Sequence, residues 1–255
     1  MLQQNLNCIK TQFSQNVIGK EKKHMNKIGI IGGIGPESTI EYYRLLIKTF
    51  RERLNTNQYP EILIHSVDMT EMLNYVFTNQ LDELVEFLKS KIKILEKSNV
   101  DYIALASNTP HLVFDKLAES VNTKMISIVE ETSKVITNTG IEKVGLLGTK
   151  STMSEGFYQK SGENNGIKIV IPNEEDQNYI HEKYMGELVF NKIVPETKKQ
   201  LIRIINELQV NENIKGIVLG GTELPLILEQ GDFDKLKVFN TTKIHVNAIL
   251  NKMLN

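Results

Sequence analysis

Two apolar runs of this chain end abruptly in small polar residues. YIALAS (102–107) breaks off at Ser107 into Asn108-Thr109, and GIVLGG (216–221) breaks off at Gly221 into Thr222-Glu223. Two more runs lead into GGIGPES (32–38) and GTKSTMS (148–154), loops rich in glycine or hydroxyls. Free backbone N–H groups at a helix start, with the helix dipole, favour anions. Hydroxyl and amide side chains add donors suited to carboxylates. Gly35, Pro36, Glu37, Ser38, Asn108, Thr109, Thr152, Thr222 and Glu223 are therefore candidates for holding a small ligand. An acidic amino acid or a dicarboxylic acid fits the set. Either polar pair alone reads as an ordinary N-cap, whereas four such loops at equivalent places read as a site.

Proton chemistry on such a ligand needs groups whose pKa lies near the working pH. Asp68, His111, Glu131 and Glu223 stand near the ends of apolar runs. His111 lies one helical turn past Ser107, so the two side chains can project from adjacent faces; it equally suits orienting a neighbour or packing at a helix start. Glu223 also reads as a first-turn carboxylate favoured by the helix dipole. Tyr42 and Tyr158 fall at helix positions where core packing is expected. The loop at 32–38 is not a dinucleotide turn. It lacks the third glycine, and Asp68 lies 33 positions past Gly35 (68 − 35), where about 20 are needed.

The elements that must position these residues alternate as βα units, the pattern of parallel sheets covered by helices. KIGIIGG (27–33) is followed by an amphipathic helix through about residue 54. EILIHSV (61–67) leads into a polar segment and then a helix over roughly 79–97. YIALAS and KMISIV (124–129) each precede a further helix, and the series restarts with KVGLLGT (143–149), IKIVIP (167–172), GIVLGG and KVFN (237–240). The segment DMTEMLNYVF (68–77) reads equally as a semi-buried loop over the cleft or as plain packing.

The restart keeps register. Lys27, Gly29, Gly32, Ser38 and Tyr42 recur as Lys143, Gly145, Gly148, Ser154 and Tyr158, all displaced by 116 (143 − 27). The run 103–107 recurs at 217–221, displaced by 114 (217 − 103). Two similar domains follow, 26–139 and 140–255, joined through TNTGIEK (137–143), with the last helix crossing back to the first. The expected fold is α/β: two Rossmann-like parallel-sheet domains related by a pseudo-two-fold axis. Ligands of such sheets sit beyond the carboxyl ends of the strands, which places the cleft between the domains.

Composition narrows the function classes. A net charge of −1 supplies no field for nucleic acid or an anionic membrane. No apolar stretch approaches the roughly 20 residues of a membrane span. The lone cysteine, Cys8, has no partner in the chain, which favours a reducing, cytoplasmic setting. Residues 1–25 lack a secretory pattern and are expected to be a disordered extension.

IGIIGGIGPESTIEYY, ASNTPH, LLGTKSTMSEGFY, LGGTELPLIL and FNTTKIHVNAIL resemble the cofactor-independent aspartate/glutamate racemase family, from about Met25 to the end. The resemblance implies an isomerase that uses neither pyridoxal phosphate nor metal, and a homodimer. It also implies two catalytic cysteines, one per domain, which work on opposite faces of the substrate α-carbon. Those positions are Ser107 and Gly221 here. A thiol near pKa 8.5 is tunable to a thiolate; a hydroxyl needs an adjacent base, and glycine offers nothing. Asn240 also stands where the family commonly has Asp. Two-thiol racemisation is therefore excluded. Redirected chemistry on the same scaffold and non-catalytic binding of an acidic amino acid or dicarboxylate are both open. Restoring cysteine at 107 and 221 together is expected to raise racemisation far more than either change alone.

Overall fold

The computed structural model describes residues 25–255. The extension before Met25, with Cys8, lies outside the described residues. Strands form at all eight apolar runs: β1 (Ile28–Gly32), β2 (Ile62–Ser66), β3 (Tyr102–Leu105), β4 (Lys124–Ile126), β5 (Lys143–Leu147), β6 (Lys168–Val170), β7 (Gly216–Leu219) and β8 (Lys237–Asn240). They make two four-stranded sheets, ordered β2-β1-β3-β4 and β6-β5-β7-β8. Every pairing is parallel. The central runs are apolar at consecutive positions because both sheet faces are covered. Along β1, Ile28 and Ile30 enter one core and Ile31 the other.

The two offsets in the sequence reappear as strand register. Ile28 pairs with Tyr102 and Gly29 with Ile103. Their counterparts Val144 and Gly145 pair with Gly216 and Ile217. Displacements of 116 in the first strand and 114 in the third are thus one geometric repeat.

Helices α1 (Pro36–Leu54), α2 (Met69–Phe77), α3 (Leu81–Glu96), α4 (Phe114–Glu119) and α5 (Ile128–Thr137) lie in the first half of the chain. The second half carries α6 (Lys150–Ser154), α7 (Phe157–Asn164), α8 (Glu174–Gly186), α9 (Pro195–Glu212) and α10 (Thr241–Leu254). The segment 68–77 is a helix packed into the core, the second of its two readings, and not a loop over the cleft. Asp68 caps it, accepting from the N–H of Thr70 at 2.7 Å, and Met72 and Val76 enter the core against α3.

One helix from each half crosses to the other sheet. Val246, Ile249, Leu250 and Met253 of α10 pack with Ile28 and Ile30 of β1 and Leu46 and Phe50 of α1. In return Ile128, Val129 and Ile136 of α5 pack with Val144 and Leu146 of β5. The boundary expected at 139/140 falls just after a helix that covers the second sheet. The loops that follow β3 and β7 each meet the other half of the chain, Thr109 at Thr149 and Glu223 at Ser38.

Candidate functional site

The first corner of the site is the start of α1. Gly35, at φ 59°, is its N-cap and Pro36 its first residue, where the missing N–H costs no bond. Ser38, in the first turn and 2% exposed, turns inward. Its hydroxyl donates at 2.6 Å to Oε1 of Glu223, from the other half. The other carboxylate oxygen accepts from Thr222 Oγ1 at 2.9 Å and from the Tyr184 phenol. The Ser38 and Thr222 hydroxyls also touch. A Cβ built on Gly35 would lie 2.1 Å from Glu223 Oε1, so only glycine leaves room for this carboxylate. Glu223 is 2% exposed, and three hydroxyls satisfy it.

The second corner is built from neutral groups, and Ser154, the counterpart of Ser38, stays out of it, exposed and donating to the Lys150 carbonyl. Thr109, the counterpart of Glu223 at the offset of 114, lies 3.2 Å from Thr149 Oγ1. Thr149 in turn lies 3.0 Å from Thr152 Oγ1 and caps α6 by accepting from the Thr152 N–H. Asn108 accepts from the Tyr158 phenol at 2.6 Å and lies 3.4 Å from Thr241 Oγ1 through its own N–H₂. The expected ligand-holding residues Ser38, Asn108, Thr109, Thr152, Thr222 and Glu223 are therefore gathered and buried. Pro36 is exposed and Glu37 half-buried.

Tyr42 and Tyr158, equivalent by the repeat, are both fully buried and both bonded. His245 Nε2 meets the Ile126 carbonyl at 2.9 Å, so that nitrogen carries the proton. His245 Nδ1 then accepts from the Tyr42 phenol at 2.8 Å. Burial, then the neighbouring Tyr158 and Glu223, push the Tyr42 phenol well up. Burial also pushes Tyr158 up. His245 is lowered by burial to about 4.

His111 Nε2 accepts the N–H of Ile128 at 3.2 Å, so the ring caps the start of α5. The ring stacks on Phe114 with centroids 4.8 Å apart. Burial, followed by His245, lowers His111 to about 3. The backbone of Ser107 and Asn108 offsets part of that shift, although Nδ1 meets no partner in good hydrogen-bond geometry. A neutral ring of this kind positions helix α5; its pKa is far from that of an efficient base at neutral pH. Asp68 is exposed and serves its own helix. Glu131 pairs with Lys134 at 2.7 Å on α5. Neither joins the site.

Ser107 lies two residues past β3 and is 7% exposed. Gly221 lies two residues past β7, and a residue that the sequence motifs do not single out stands over it. A Cβ at Gly221 would lie 2.3 Å from Cε2 and 3.0 Å from the hydroxyl of Tyr184. The phenol, buried beside Glu223, is raised well above its ordinary value, burial being the larger cause. Beside the strand ends a cavity of about 570 Å³ opens between the halves, lined by His111, Ser127, Glu130, Phe157, Lys160 and Ser161 among others. No group of three or more His, Cys, Asp or Glu suited to a metal occurs among the described residues. No helix among them is long and apolar enough to cross a membrane.

Two matched half-sites facing across strand ends call for a comparison with known proteins. A family model described as Asp/Glu/Hydantoin racemase matches residues 31–249. The chain belongs to that family. The broad specificity amino-acid racemase RacX of Bacillus subtilis strain 168 is 31% identical over 146 residues, 56% of this chain and 63% of that protein. The aligned stretch thus spans less than two thirds of that relative. The crystal structure of an aspartate racemase homologue from Pyrococcus horikoshii OT3 is 37% identical, with a TM-score of 0.80 over 91% of this chain and 100% of that one. Glutamate racemase of Francisella tularensis in complex with D-glutamate shares the fold alone: 16% identity and a TM-score of 0.63 over 91% of this chain and 84% of that one.

As an Asp/Glu/hydantoin racemase family member, the chain has the expected α/β fold with parallel sheets. Tyr184 carries a weak sequence signal. It lies in EKYMGEL, at the end of a segment whose low amphipathicity hides which side chain turns inward.

Proposed function

We propose that the protein is an isomerase-family protein that holds a small amino acid between its two halves and acts at the α-carbon without the two-thiol machinery. The observation that carries this reading is the pair of equivalent strand ends, Ser107-Asn108-Thr109 and Gly221-Thr222-Glu223, each bonded to residues of the opposite half by buried hydrogen bonds. The D-glutamate bound by the Francisella relative and the broad amino-acid specificity in the RacX name support an amino acid as ligand. By resemblance, aspartate, glutamate and related dicarboxylates are the class to try first. Independence from pyridoxal phosphate, a homodimeric assembly and a cytoplasmic setting belong to the same proposal. Ser107 faces the ligand from one half as polariser or weak acid, and the Tyr184–Glu223 pair faces it from the other.

Gly221 favours a second reading, a non-catalytic amino-acid-binding protein, because the raised Tyr184 phenol stays protonated and is no base. One experiment separates the two. L- and D-amino acids are incubated with the protein in deuterated water while binding is followed by calorimetry. Deuterium at the α-carbon establishes proton abstraction; binding heat without deuterium establishes the binding protein. Neither signal at millimolar ligand overturns both.

A further inference from the structure

The cavity of about 570 Å³ between the halves lies outside the two polar corners: neither Ser107 nor any residue that builds those corners lines it. Its volume falls in the range of small-molecule sites. Leu112, Phe114 and Val129 line it from the first half and Phe157 from the second. Both aromatic rings are half-buried, and each is held by a buried ring. Phe114 stacks on His111 with centroids 4.8 Å apart, and Phe157 packs on Tyr158 at 5.5 Å.

The charges around this apolar wall do not balance. Lys160 is paired with Asp115 across the halves at 2.8 Å, and Lys116 with Asp82 at 3.0 Å. Lys160 also feels Glu130, but less than it feels Asp115. The Glu130 carboxylate, in the first turn of α5, accepts only from the Ser161 hydroxyl among the described residues, at 3.0 Å. The Glu155 side chain makes no hydrogen bond or ion pair among them. Two carboxylates without a cation of their own therefore line an aromatic cavity. Beside a low-dielectric wall they attract a cation more strongly than in open water. An ammonium gains again over a phenyl face within about 6 Å. An anion gains from neither and is repelled by both carboxylates.

We propose that this cavity is a second ligand site, separate from the strand ends, that takes a small organic cation: a protonated amine on an apolar or aromatic body. The body lies against Phe114 and Phe157, and the ammonium sits at Glu130 and Glu155. The proposal does not depend on the amino-acid reading above, and its failure leaves that reading untouched.

Tryptamine and indole-3-propionate share one body and carry opposite charges at neutral pH. The chain has no tryptophan, so indole emission belongs to the ligand alone. Each is followed by fluorescence anisotropy while the full-length protein is titrated in at low ionic strength, where exposed charges are least screened. Tryptamine is expected to bind at least about tenfold tighter. In Glu130→Gln/Glu155→Gln the ratio is expected to fall below about threefold. A ratio under tenfold in the unsubstituted protein, or no binding of tryptamine at millimolar concentration, overturns the proposal. A ratio that stays at threefold or more in the double variant places the cation elsewhere and overturns it too. Where the double variant does not fold, Glu155→Gln alone decides, since that exposed side chain bonds to nothing described. The ratio is then expected to drop at least about twofold, and a smaller drop overturns the proposal.

Discussion

A Cβ added at Gly221 would lie 2.3 Å from Cε2 and 2.9 Å from Cζ of Tyr184, so a cysteine at 221 requires the ring to move. Gly221→Cys alone is therefore expected to lose about 1–3 kcal/mol through overpacking, read as a lower urea midpoint. Combined with Tyr184→Leu it should recover part of that loss, giving a double-mutant cycle with favourable coupling. A Gly221→Cys protein as stable as the parent contradicts the geometry. The catalytic consequence is that two cysteines do not suffice. Racemisation should appear in Ser107→Cys/Gly221→Cys only when Tyr184→Leu is added, each well-placed acid/base group being worth about 10²–10⁴ in rate. Chiral chromatography of the products checks this. The positions 107 and 221 were legible from sequence because strand ends and flanking motifs locate them. Tyr184 was not, because the contact joins α8 to a residue 37 positions away (221 − 184) and leaves no spacing pattern.

At the scale of elements, the exchange of α5 and α10 decides which residues guard which sheet. Leu250 is fully buried in the core that holds Ile28 and Ile30. Leu250→Ala should cost about 2–5 kcal/mol, as for a cavity in a packed core. Hydrogen exchange should show the amides of β1 losing protection together with α10, more than 200 residues away. Loss confined to β5–β8 would refute the exchange. The four central strands could be read from sequence because runs covered on both faces are continuously apolar, and the partly exposed edge strands β2, β4, β6 and β8 from their place in the βα alternation. The helix at 69–77 was equally readable: Met69, Met72, Leu73, Val76 and Phe77 follow helical spacing after the Asp68 cap, and only the polar residues between them obscured it. The exchange was only half readable. The repeat fixes the register within each sheet but carries no mark of which sheet a following helix covers.

For the molecule as a whole, two buried histidines make stability depend on pH. His111 and His245 are held near 3 and 4 in the fold, below the ordinary 6.5 of an unfolded chain. As pH falls the unfolded chain takes up protons first, so stability is complete above about 6.5 and drains away toward pH 4. Each histidine contributes about 1.4 kcal/mol per pH unit in that window. Between pH 7 and 5, where carboxylates are still largely ionised, urea denaturation should show a loss of about 2–4 kcal/mol. His245→Asn should roughly halve the slope, and a flat profile would exclude the account. The exchanged helices also reach back to synthesis. The first sheet is complete once Ile126 has been made, yet the helix that covers one of its faces ends at Leu254, 128 residues later (254 − 126). At about 5–20 residues per second the ribosome needs roughly 6–26 s to supply it. During that interval Ile28 and Ile30 lie on an apolar face that α1 alone covers on the nascent chain, the place where a chaperone or a neighbouring nascent chain would first take hold.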